Sequence, residues 1–215
     1  MTHLLYASRS SSRRRLLRAA ALAVSTVAAS AVLPGCVLLV GGAAVGGGLM
    51  ITDRRTSGAQ VEDEAIELKS ASRIREAVGD RAHASVTSFN RVALVTGEVP
   101  TEADRDAVIN AVKGVENVHT VDDELLVGQN ASLSTISSDT VITSRVKGAF
   151  VEAKDLQANA IKVVTERGNV YLMGIVTERE ADRATEIARG VPSVMKVVRV
   201  FEVISEAELA NLQRK

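Results

Sequence analysis

The chain has 215 residues, room for one domain or two small ones, and 46% of them are hydrophobic, enough for a folded core. Aromatics make up only 2%, with no Trp, so any core must be built from Val, Ile, Leu and Ala, and the aromatic stacking platforms of nucleic-acid binders are excluded. The formal charge is zero, but Arg9, Arg13, Arg14, Arg15 and Arg18 all fall in residues 1–35 with no acid among them; beyond that stretch 21 basic residues face 26 acidic ones, a balance unlike that of a general nucleic-acid binder.

Residues 1–18 are polar and arginine-rich, and residues 19–33 are small and apolar, the length of a signal-peptide core. Leu33-Pro34-Gly35-Cys36 follows, which resembles the bacterial lipobox, with Pro34 its less usual member. Cleavage after residue 35 would expose Cys36 for lipid attachment, and that covalent lipid is the only cofactor expected. The alternative is an uncleaved membrane anchor with an inert buried cysteine. Being alone, Cys36 can form neither an internal disulfide nor a multi-cysteine metal site. Residues 12–18, Ser-Arg-Arg-Arg-Leu-Leu-Arg, suit a twin-arginine export signal as well as an ordinary basic leader. The apolar run 37–51 is shorter than the roughly 20 residues that span a bilayer, and its glycines make it a poor helix. Residues 36–60 read as a lipidated, pliable tether. Val37, rather than Asp, after the cysteine is the pattern of lipoproteins passed to the outer membrane.

The remainder holds one unit twice. Ser72-Arg73-Ile74-Arg75 matches Ser144-Arg145-Val146-Lys147, Val95-Thr96-Gly97 matches Leu172-Met173-Gly174, Thr101 matches Thr177, and Gly114-Val115 matches Gly190-Val191. Each copy opens with a helix, at 62–78 and 139–153, the second capped by Asp139. Two strands follow, turning at Asn90 and at Gly168-Asn169. A second helix starts at Thr101 with Asp104, or Thr177 with Glu180, at capping-box spacing, and stops at Gly114 or Gly190. A last strand covers 118–127 and 194–204. The fold class is therefore α+β: two tandem αββαβ domains, each a three-stranded mixed sheet packed by two helices. The boundaries are 1–35 signal peptide, 36–60 tether, 61–128 first domain, 129–138 polar linker, 139–206 second domain and 207–215 tail. Units this small are marginal alone, so the two are expected to touch.

Catalysis is not expected. His83 and His119 stand without a neighbouring Cys or second His, and no nucleophile elbow, phosphate loop or zinc spacing occurs. Glu62-Asp63-Glu64 and Asp122-Asp123-Glu124 read as solvated helix-start and strand residues, and no metal site is expected.

With these marks in view, each copy resembles a BON domain: the apolar strand ending in Gly97 or Gly174, the capped helix, and the Gly-Val pair before the last strand. Two such units behind a lipobox, with Asp53-Arg54-Arg55-Thr56 and the run 170–180, are similar to the dual BON-domain outer-membrane lipoproteins, the division- and outer-membrane-stress-associated lipid-binding family. The resemblance implies a periplasm-facing outer-membrane protein, enriched at the division site, that binds anionic phospholipid such as phosphatidylglycerol through its second BON domain and supports envelope integrity. A protein–protein adaptor for an outer-membrane assembly or cell-wall machine, with lipid only as anchor, is the competing reading. The expected partners are an anionic membrane and an envelope protein, with no nucleic acid, and the expected state is a monomer.

On a helical wheel the helix from Asp139 puts Ile142, Val146 and Ala149 on one face, with Phe150 at its edge. Val141, Gly148 and Val151 lie on the other, flanked by Arg145 and Lys147. An apolar patch rimmed by cations suits the boundary between acyl chains and anionic headgroups. Val141, Arg145, Lys147, Gly148, Phe150, Val151 and, from the following loop, Leu156 are the candidate phospholipid contacts. The first helix of copy one, with Arg73, Arg75 and Glu76 outward, offers no such patch.

Overall fold

The computed structural model describes residues 53–212 and 214. The chain divides into Met1–Met50 and Ile51–Lys215, the second compact by itself. The signal segment, Cys36 and the tether as far as residue 52 lie outside the described residues.

The elements are α1 (Ser57–Val78), β1 (His83–Phe89), β2 (Val92–Val99), α2 (Glu102–Lys113), β3 (Thr120–Val127), α3 (Leu133–Glu152), β4 (Ile161–Glu166), β5 (Asn169–Thr177), α4 (Glu178–Gly190), β6 (Lys196–Ile204) and α5 (Glu206–Leu212). The strand orders are β1-β2-β3 and β4-β5-β6. In each sheet the first pair is antiparallel and the second parallel. The parallel pair needs a crossover, and α2 and α4 supply it.

Strand alternation sorts the side chains. In β2, Ala93, Val95 and Val99 turn to the helices and close a core with Ile66, Val108 and Val112. In β5, Val170, Leu172 and Val176 do the same with Ile142, Val146 and Phe150. The opposite faces meet each other: Phe89 and Leu94 of the first sheet cluster with Tyr171, Met173 and Ile175 of the second. The expected contact between copies is thus made sheet to sheet, with the helices outside.

Gly97 and Gly174 occupy places where the neighbouring strand comes too close for a side chain. A Cβ at Gly97 would run into the His83 carbonyl, and one at Gly174 would sit 2.5 Å from that of Ala160. The second helices are capped as expected. The Thr177 hydroxyl accepts from the Glu180 amide and Glu180 accepts from the Thr177 amide, a complete capping box. Asp104 is one carbon shorter and instead accepts from the Thr101 hydroxyl at 2.7 Å. Gly114 (φ −78) caps α2 without a left-handed twist, and Gly190 is the last residue of α4. The left-handed turns fall later, at Asn117 and Ser193.

Three expectations need correction. First, α3 starts at Leu133 behind Ser132, whose hydroxyl accepts from the Thr135 amide. Most of the stretch 129–138 is therefore helix, not linker, and Asp139 lies inside the helix rather than at its cap. Second, the tail 207–215 carries most of α5, which buries Leu209. Third, Asp63 is not solvated. Its Oδ1 accepts from the Ser88 hydroxyl (2.7 Å) and the Arg91 amide (2.8 Å); its Oδ2 accepts from the Asn90 amide (2.8 Å) and from Arg55 (2.7 Å). Asp139 does the equivalent job, accepting from the Arg167 and Gly168 amides at 2.8 Å. Each buried aspartate holds a two-residue hairpin turn with positive φ at both positions, Asn90-Arg91 and Arg167-Gly168. This equivalence pairs Asp63 with Asp139, so the register of the opening helices is one helical turn away from the one given by the Ser72 and Ser144 segments.

Candidate functional site

Helix α3 presents one buried and one open side. Asp139, Ile142, Val146 and Phe150 recur at helical spacing and face the core. Of the candidate lipid contacts, the structure takes two away: Phe150 is 1% exposed and Leu156 8%, both inside the second core. Phe150 sits at the wheel's edge, but the sheet closes over it, and Leu156 folds back under the helix end. Val141 (47%) and Val151 (73%) remain in the open, as do Arg145, Lys147 and Gly148. Among the described residues, neither Arg145 nor Lys147 makes an ion pair. The two valines are ten residues apart, about 15 Å along a helix, so they mark two ends of a stripe rather than one patch. The earlier start of α3 lengthens that stripe by Leu133 (84%) and Ile136 (42%). The sequence reading missed both because it placed them in the linker.

Serine and threonine fill the rest of this face. Ser137, Thr140 and Ser144 hydroxyls donate back to the carbonyls of Leu133, Ile136 and Thr140. Their donors are thereby satisfied inside the helix, which leaves a weakly polar surface. The only exposed acid on α3 is Glu152. Helix α1 is different, though not for lack of apolar residues: Val61 (68%) and Leu68 (74%) are exposed. They sit among charges of both signs, Glu64 and Glu76 with Lys69, Arg73 and Arg75, all exposed on the same helix.

A profile of the BON domain matches residues 62–129 and 138–205. The chain belongs to the BON-domain family. Outer membrane lipoprotein DolP of Haemophilus influenzae is 35% identical over 155 residues, which cover 71% of this chain and 80% of that protein. The 21 kDa hemolysin of Actinobacillus pleuropneumoniae is 31% identical over 154 residues, 71% of this chain and 79% of its own. Osmotically-inducible protein Y of Escherichia coli is 32% identical over 116 residues, 53% and 58%.

The strap 53–56, which enters the first BON domain, ties both domains together. Arg54 reaches into the second. It donates to the Ile175 carbonyl (2.7 Å), to Gln157 (3.2 Å) and to both oxygens of Glu180 (2.7 Å each). Arg54 and Glu180 side chains are each 6% exposed. Burial alone would raise the Glu180 carboxyl; Arg54 and the Thr177 amide outweigh it and hold it below the usual carboxylate range. Arg55 turns to the first domain, pairs with Asp63 and Asp53, and lies 4.1 Å over the Phe89 ring. Elsewhere along the seam Lys162 pairs with Glu67 at 2.9 Å, and Arg167 pairs with Glu98.

Among the described residues no three His, Cys, Asp or Glu stand together as metal ligands. His83 and His119 are both exposed. Tyr171 is pushed upward by burial and then by Glu124, and Glu166 by burial and then by Glu98 and Asp139. Tyr171 stands at the seam, and Glu166 lines a small open hollow of about 160 Å³ with Asp139, Thr140, Thr143 and Thr165.

Proposed function

We propose that the chain is an outer-membrane lipoprotein, anchored by lipid on Cys36 and facing the periplasm, whose second BON domain binds anionic phospholipid through the solvent face of α3. In this reading its work is binding, not catalysis, and it supports envelope integrity, with enrichment at the division site. The observation that carries the reading is the α3 stripe: Leu133, Ile136, Val141 and Val151 exposed, with Arg145 and Lys147 unpaired on either side. Exposed valines singly would be ordinary. Four apolar residues along one helix, with cations and almost no acid, match the two attractions an interfacial helix uses. The similarity to a protein named as an outer membrane lipoprotein supports the same place for this chain.

The adaptor reading draws on α1. Val61 and Leu68, exposed among charges of both signs, suit a protein surface that matches that mixed pattern. The two readings assign different helices, so they are separable. Val141→Asp and Val151→Asp are each expected to abolish co-flotation of residues 53–215 with phosphatidylglycerol vesicles while leaving the thermal midpoint unchanged, because both side chains are already in water. Unchanged flotation of both variants would contradict the proposal.

A further inference from the structure

Between the two BON domains, beside the strap, lies a groove of about 410 Å³, within the size range of small-molecule sites. Its floor is apolar: Phe89 from the first domain and Ile161 from the second, with the buried Phe150 behind them. Its rim is basic, with Arg55, Lys147 and Lys162. Asp53 is the one acid in the lining, and Arg55 donates to it from its backbone amide (2.9 Å) and Nη2 (2.8 Å). Lys162 gives Glu67 and the Ser88 carbonyl two of its three ammonium hydrogens, at 2.9 and 3.2 Å, and keeps one. Among the described residues Lys147 has no partner, so all its donors are unspent.

We propose that this groove is a headgroup subsite for an anionic phospholipid, shared by the strap and both BON domains. A phosphodiester needs cationic donors, and the first carbons of its chains need an apolar wall; the groove offers both within one concavity. Arg55 carries one charge against two carboxylates, Asp53 and Asp63, and Lys162 is paired with Glu67, so the uncompensated cation of the groove is Lys147, helped by the spare donor of Lys162. Lys147 and the exposed Val151 belong both to the groove's rim and to the solvent face of α3. The groove therefore opens on the surface that meets the bilayer. The inference rests on the membrane reading of α3 and extends it: the lipid site includes the first domain.

The test is nuclear magnetic resonance on the 53–215 unit, titrated with short-chain phosphatidylglycerol, short-chain phosphatidylcholine and glycerol phosphate. Phosphatidylglycerol is expected to shift Phe89 and Ile161 as well as Val141 and Val151, and the other two ligands to leave Phe89 and Ile161 unmoved. Ala158→Leu narrows the groove without touching a cation or the α3 stripe; it is expected to weaken binding to phosphatidylglycerol vesicles about tenfold. Should that variant fail to fold, the wild-type shifts decide alone. Shifts confined to Val141 and Val151 would overturn the subsite and keep the helix reading. Silence at all four residues would overturn both. Equal shifts from glycerol phosphate would mean a free phosphate ester, not bilayer lipid, and would also overturn the proposal.

Discussion

Asp63 and Asp139 each replace water around the two amides of a tight turn, from a position in the middle of a helix. A buried carboxylate with that many donors is held well, but its removal strands the amides. Asp139→Ala is expected to cost about 2–3 kcal/mol in denaturant unfolding, with vesicle binding per folded molecule unchanged. Neither role is legible in sequence, because the partners lie some 25 residues on: Asp63 reads as a solvated helix-start acid and Asp139 as a helix cap. Of the turn residues, Asn90 and Gly168 were legible because Asn and Gly tolerate positive φ; Arg91 and Arg167 were not, and Asn169, expected in the second turn, begins β5. The pH dependence follows from the same groups. Burial would raise the Asp63 carboxyl, but its bonds from Arg91, Ser88, Arg55 and Asn90 hold it below the usual carboxylate range. A folded pKa below the unfolded one gives stability that is present above the unfolded value and lost as pH falls through the folded value. Asp53 and Glu180 are lowered likewise. Glu166 and Asp122, raised first by burial, have the opposite sign: their ionised forms cost stability near neutrality, and protonation relieves it. Thermal midpoints are therefore expected to change little on mild acidification and to drop steeply below about pH 4. A loss of stability already complete near pH 6 would contradict this assignment.

At the scale of elements, helix caps and strand periodicity carried most of the fold. Thr101 and Thr177 start helices because a hydroxyl there satisfies an orphan amide, and the alternating apolar residues of β5 and β6 face two different cores. The start of α3 was not legible. Its first turns are Leu-Ser-Thr-Ile-Ser-Ser-Asp, residues with weak helix preference that suit a linker equally well. That one missed turn-and-a-half hid Leu133 and Ile136, and the wheel alone could not tell that Phe150 and Leu156 would be covered. The cations on α3 make a separate prediction. Arg145→Gln with Lys147→Gln is expected to weaken binding to phosphatidylglycerol vesicles at low salt by about tenfold or more, each cation contributing about 1 kcal/mol near an anionic surface. The difference should shrink as salt is raised. A salt-independent loss would point to packing rather than charge.

The two BON domains are held together by the sheet-to-sheet seam and by two consecutive arginines facing opposite domains. Contact between the copies was foreseeable from their size. The faces involved were not, because the residues that make the seam, Leu94, Tyr171 and Met173, look like ordinary members of apolar strands. The role of Arg54 was hidden too, since its partner Glu180 lies over 120 residues away. Arg54→Ala leaves a buried carboxylate with only the Thr177 amide, and is expected to cost about 3 kcal/mol and to expose the strap to protease. If Arg54→Ala with Glu180→Gln costs no less than the sum of the single changes, the pair is not coupled as described.

These scales converge on one claim, that the folded domains themselves read the membrane and do not merely hang from it. The most direct measurement is flotation of residues 53–215, which omit Cys36, with vesicles of phosphatidylcholine alone and of phosphatidylcholine with phosphatidylglycerol. Flotation with the anionic vesicles only is the predicted result. Absence of flotation with either would contradict it.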